Sequence, residues 1–166
     1  MSPLFRSKSA AKAEDVKRLE SDHGPALAWG ATAAGDPVIA TVSCLVIGGQ
    51  SPHAIPWHLI DKATWNPPSF DLRYRSAAGA PRTLRVELDS VGKLPPVVRE
   101  RVTKSVVISR RLPLEGESGA VVAARRDPSG TVHWTVTFDP GLDATDPVLQ
   151  QRAREALAEL RRSYGA

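Results

Sequence analysis

The stretch DPVLQQRAREALAELRRSY, residues 146–164, decides the fold class of this chain. Leu149, Ala153, Ala156, Leu157, Leu160 and Tyr164 recur every three or four residues, which places them on one face of an α-helix. Asp146 supplies an N-cap oxygen, and Pro147 suits the first helical position, where its missing N–H is one of the orphan donors anyway. Gly165 offers a left-handed C-cap, and Arg161 and Arg162 lie at the negative end of the helix dipole. The apolar stripe carries no charge, while the outer face holds Arg152, Arg154, Glu155, Glu159 and Arg162. Such a helix buries one side and solvates the other. Its partner has to be a sheet, because nearly everything before it reads as strands.

Residues 26–32 read as a first strand, ended by the turn Ala33-Ala34-Gly35-Asp36-Pro37. Residues 37–47, rich in β-branched side chains, read as one strand running to Gly48-Gly49. Residues 53–65 alternate at Ile55, Trp57 and Leu59 and then lose the two-residue period, which predicts a bulge near residues 59–61. Residues 70–75 and 83–89 alternate strictly, with Phe70, Leu72, Tyr74, Leu84, Val86 and Leu88 inward. That is the pattern of an antiparallel sheet with one wet face. Pro95 and Pro96 open a short helix over residues 94–106, which runs into a strand at residues 105–111. Residues 120–125 and 131–139 flank the turn Asp127-Pro128-Ser129-Gly130 and predict a hairpin. Residues 1–23 have only a thin apolar stripe, Ala13, Val16 and Leu19, and are expected to be a loosely ordered arm. The expectation is a single mainly β domain over residues 24–166, an antiparallel barrel or sandwich closed by the C-terminal helix.

This order of elements resembles the pleckstrin-homology superfold as it occurs in bacterial PH-like domains. The segments carrying the resemblance are ALAWGATAAGDPVIATVSCLVI (26–47), IPWHLIDKATW (55–65) with Ile55, Trp57 and Ile60, FDLRYR (70–75), RTLRVEL (82–88) and the final helix. The resemblance implies seven antiparallel strands in a barrel, one open end of which is closed by a C-terminal helix, and a binding scaffold in place of an enzyme. The helix at residues 94–106 then stands as an insertion between strands. In lipid-binding members the loop between the first two strands carries a basic phosphoinositide cluster. Here that loop, residues 33–37, has no Lys or Arg, so phosphoinositide binding is not expected.

The 166 residues suffice for one domain with a substantial core. The single cysteine, Cys44, excludes an internal disulfide and lies in an apolar run, as a buried thiol does. No stretch approaches the ~20 apolar residues of a membrane span, and the N-terminal residues lack the apolar core of a signal peptide. A bacterial cytoplasmic protein is expected. The net charge of +4 is uneven: residues 70–130 carry twelve Lys/Arg against seven Asp/Glu, and the flanking regions are close to neutral.

No P-loop, dinucleotide fingerprint, CxxC or HExxH occurs, so no cofactor and no enzymatic activity are expected. His53 and His58 point to opposite faces of a strand and make a poor metal pair, and His133 lies on a polar strand face. Ser43 and Cys44 lack the context of a nucleophile. Trp29, Trp57 and Trp134 are expected in the core, and Trp65, beside Asn66-Pro67-Pro68, partly exposed. The candidate binding set is Arg73, Arg75, Arg85, Arg110, Arg111, Arg125 and Arg126, together with Trp65. If those arginines converge they form a basic surface for a partner protein, with nucleic acid or another anionic surface as the alternative. If they do not, they pair with acids such as Asp71, Glu87, Glu115 and Asp127. A small-molecule binder with a barrel cavity is the third class.

Overall fold

The computed structural model describes residues 4–165, with side chains from residue 13 onward. Its contacts divide the chain into two compact units, Met1–Lys104 and Ser105–Ala166, where the sequence predicts one domain over residues 24–166. Both units are antiparallel in their strands, and the protein is mainly β.

The first unit starts with α1 (Leu4–His23), over the stretch expected to be a loosely ordered arm. Its sparse stripe has little to cover: Val16 and Leu19 bury against Ile39, Cys44 and Val46. Seven strands follow: β1 (Ala28–Thr32), β2 (Pro37–Ala40), β3 (Cys44–Ile47), β4 (His53–Pro56), β5 (Ile60–Asn66), β6 (Ser69–Arg75) and β7 (Pro81–Ser90). They form one sheet in the order β4-β3-β2-β1-β7-β6-β5. The order ends at β4 and β5, so of the expected barrel or sandwich it is the closed barrel that is not formed among the described residues. The predicted irregularity near residues 59–61 is present as a 3-10 turn, Trp57–Leu59, and a register shift between Ile60 and Lys62. Gly30 sits where β1 meets β7. A Cβ there would run into the carbonyl oxygen of Ser90, so only glycine lets the two backbones approach.

β7 leads into α2 (Leu94–Ser105), with Pro95 and Pro96 in its first turn. Leu94 and Val98 are fully buried in a cluster with Val38, Leu45, Ile55, Trp57, Ile60, Phe70, Leu72, Val86 and Leu88. The helix read as an insertion is therefore part of the core of the seven-stranded unit.

The second unit holds β8 (Val106–Glu115), β9 (Ser118–Arg126) and β10 (Val132–Phe138), in the order β10-β9-β8, and α3 (Pro147–Tyr164). The α3 punctuation is as the sequence predicts. Asp146 caps it by accepting from the Val148 N–H at 2.9 Å, and Gly165 ends it in the left-handed region at φ 86°. Leu149, Ala153, Ala156 and Leu160 are buried, and Leu160 packs with Val122 among Ile108, Leu112, Trp134 and Val136. Burying a leucine this fully contributes about 1.5–3 kcal/mol. In place of closing the whole strand assembly as expected, α3 lies on this three-stranded sheet, and α2 is the helix that follows the seven strands.

Candidate functional site

The arginine set divides between the units. In the first, the β6–β7 register sets Asp71 opposite Arg85, and Arg85 Nε donates to Asp71 Oδ1 at 2.7 Å. This hydrogen bond, reinforced by the charge of Asp71, raises the Arg85 pKa above its ordinary value. Arg75 Nε lies 3.2 Å from Asp61 Oδ2, and the Asp61 side chain is nearly buried. Arg73 is half-buried, facing Lys62 on β5 and Thr83 on β7.

In the second unit, Arg110 pairs with Glu159 on α3 at 3.6 Å. Arg111 holds both carboxylate oxygens of Asp139 and donates to the Glu117 carbonyl at 3.0 Å, and its bond to Asp139 raises its pKa. Arg125 is buried, its Nη1 donating to Ser105 Oγ at 3.2 Å. Arg126 is exposed. Of the acids expected to pair with these arginines, Asp71 does so; Asp61, Asp139 and Glu159 take the other pairs. Asp127 instead meets His133 Nε2 at 2.8 Å. Within each unit these guanidiniums are mostly tied to their own fold.

The tryptophans fall out differently. Trp57 is buried and its indole N–H donates to the Thr41 carbonyl at 3.0 Å. Trp134 is half-buried, edge-on to Tyr164 and beneath Arg161. Trp29, expected in the core, is 40% exposed. The two-residue period puts Ala28 and the tight Gly30 junction on the other side of β1 and turns Trp29 to the face it shares with Ile39, where Val16 and Leu19 of α1 bury Ile39 while Trp29 stays partly in solvent.

Trp65 lies where a second set of features converges. It is half-buried on β5, its ring tilted against Phe70 at 4.9 Å between centroids. A groove of about 660 Å³ opens beside it, lined by Lys62, Ala63, Thr64, Trp65 and Phe70 on the sheet and by Pro95, Pro96, Arg99 and Glu100 on α2. Lys62, Ala63, Thr64 and Trp65 are consecutive, and consecutive strand residues point to opposite faces. A cavity touching all four runs along the edge of the strand, not over one face. β5 is the last strand of its sheet, and among the described residues no further strand pairs with that edge. An open edge presents a row of unpaired N–H and C=O groups.

The charges along the groove are also unequal. Glu100 is occupied by Lys104 at 2.7 Å, an interaction that lowers the Glu100 pKa and keeps it ionised. Among the described residues, neither Lys62 nor Arg99 has an ion-pair partner, and both are exposed. Of the residues lining this groove, Trp65 is a binding candidate in the sequence, whereas Lys62, Phe70 and Arg99 are not singled out there. Pro95 and Pro96 were legible only as a helix start, since nothing in the chain's periodicity announces which strand that helix lies beside.

No family model, no curated protein and no solved structure matches the chain.

Proposed function

We propose that this protein is a non-enzymatic interaction module that captures an extended peptide segment as an added strand beside β5. The observation that carries this reading is the groove between the open β5 edge and α2, with Trp65 and Phe70 on one wall and Pro95 and Pro96 on the other. Strand addition takes its affinity from main-chain hydrogen bonds and its selectivity from pockets for alternate side chains. The groove offers both. Its volume lies within the range of binding sites of about 300–1,000 Å³.

The pleckstrin-homology-like reading attaches to the first unit, in which seven antiparallel strands run directly into α2. A protein partner is favoured over nucleic acid, because Arg75, Arg85, Arg110 and Arg111 are already paired with acids of their own units. A buried free thiol at Cys44 is in keeping with the bacterial cytoplasm as the compartment.

The test is selection from a random library of short linear peptides, followed by amide chemical-shift mapping of a selected peptide on the unmodified protein. Shifts are expected to concentrate on residues 62–66 and 95–100. Selection without enrichment, or shifts concentrated elsewhere, would show that the groove is not a peptide site.

A further inference from the structure

We infer that the segment taken up at β5 is acidic at a fixed position: an apolar, a polar, an apolar and an acidic residue in succession from its N- to its C-terminal end. The inference rests on the groove reading above and adds the chemistry of the partner to it.

Every strand pair among the described residues is antiparallel, and an antiparallel addition needs no crossover. A segment running antiparallel to β5 passes Trp65, Thr64, Ala63 and Lys62 in that order. Directly opposed residues share a face and contact one another. The residue opposite Trp65 lies on the face where Trp65 meets Phe70, so it is apolar, and a β-branched side chain suits an aromatic neighbour. The residue opposite exposed Thr64 is polar. The one opposite the small Ala63 returns to the apolar face and has room for a large side chain. The one opposite Lys62 meets an ammonium that has no ion-pair partner among the described residues; Arg99 lines the groove from α2, which packs on the apolar Ala63–Trp65 side, and adds positive charge to the groove without standing opposite that position.

Charge on the larger scale points the same way. Residues 1–104 carry fourteen Lys/Arg against ten Asp/Glu, and residues 105–166 carry eight against eight, so the net charge of +4 belongs wholly to the unit that holds the groove. Glu100, the only acid lining the groove among the described residues, is engaged by Lys104. An acidic segment therefore meets free cations without meeting a free carboxylate, and it is steered toward this unit from a distance.

The test uses two labelled peptides centred on Val-Thr-Leu-Asp and Val-Thr-Leu-Lys. Their binding is followed by fluorescence polarisation at low salt on the full chain and on its Lys62→Glu and Arg99→Glu variants. Both substitutions fall on exposed side chains, so folding is expected to survive, and circular dichroism checks it. The Asp peptide is expected to bind the unmodified protein about fivefold tighter than the Lys peptide, the scale of one exposed charge pair together with the lost repulsion. Lys62→Glu is expected to reverse that order, Arg99→Glu to weaken the preference, and added salt to erase it.

Equal binding of the two peptides, or a preference that Lys62→Glu leaves unchanged, overturns the acidic position while the groove stands. Library-selected peptides that shift the β5 amides when neither designed peptide does would also sink the inference alone. A groove that no library peptide enters removes the reading beneath it.

Discussion

Asp127 shows how much a single residue of the right type in a turn can organise. Its Oδ1 accepts from the Ser129 N–H at 2.9 Å, the Ser129 hydroxyl at 2.6 Å and the Thr131 N–H at 3.0 Å, while Oδ2 meets His133 Nε2 at 2.8 Å. The bond with His133 first, then that of the Ser129 hydroxyl, with the backbone N–H groups of Thr131 and Ser129 adding to both, hold this carboxyl well below the ordinary aspartate value of 3.8. A carboxyl with a depressed folded-state pKa adds stability that is complete above its unfolded value and is lost as pH falls through the folded one. Asp127→Asn is therefore expected to melt at a lower temperature than the unmodified protein at neutral pH. The gap should narrow as pH falls below 3.8, which calorimetry across that range checks. The turn itself was legible in Asp127-Pro128-Ser129-Gly130, because those residue types have strong turn chemistry. The fourfold use of one carboxylate was not legible, since it depends on where β10 returns His133. Cys44 read correctly as a buried thiol from its apolar neighbours, whereas Trp29 was misplaced because hydrophobicity alone does not say which face of β1 is inward.

At the scale of elements, the instructive difference is residues 37–47, which read as one strand and fold as the hairpin β2–β3. The reversal uses neither Gly nor Pro. Thr41 is buried, and its hydroxyl accepts from the Cys44 N–H at 3.1 Å and the Ser43 N–H at 3.3 Å. The same hydroxyl lies 3.2 Å from the Cys44 carbonyl, and the Thr41 N–H reaches that carbonyl at 2.9 Å. A threonine side chain thus stands in for a backbone turn, the local competition that Ser and Thr offer to regular structure. In a run of β-branched residues it leaves no trace in the pattern. Thr41→Val keeps the shape and removes the hydroxyl, stranding buried N–H groups, and is expected to cost about 1–3 kcal/mol. A urea titration should show the lower midpoint, with Thr41→Ser recovering most of it. A midpoint unchanged in Thr41→Val would mean that the β2–β3 backbone closes the turn unaided. The alternating strands β6, β7 and β10, by contrast, were readable nearly to their ends, because one wet face writes its period directly into the sequence.

At the scale of the whole molecule, the sequence conveyed the strands-then-helix order and concealed the partition. A helix with good caps and a full apolar stripe looks the same whether it closes ten strands or three. Nothing in the periodicity of residues 94–105 marks α2 as the end of one buried cluster, and the charge asymmetry between units is visible only once the boundary is known. The partition makes a prediction of its own. Leu160 is 1% exposed and packs with Val122 and Ala156 in a cluster drawn wholly from the second unit. Leu160→Ala removes buried methyl groups and leaves a cavity, a change that costs about 2–5 kcal/mol depending on how far the site collapses. Local openings in a folded protein follow cooperative units, so that cost should be felt where Leu160 packs. Hydrogen exchange followed by mass spectrometry is expected to show faster exchange in peptides covering β8, β9, β10 and α3. Those covering β1–β7 should keep their rates, since their core is a separate set running from Ala28 to Val98. Equal acceleration across both units would mean that the two clusters open as one.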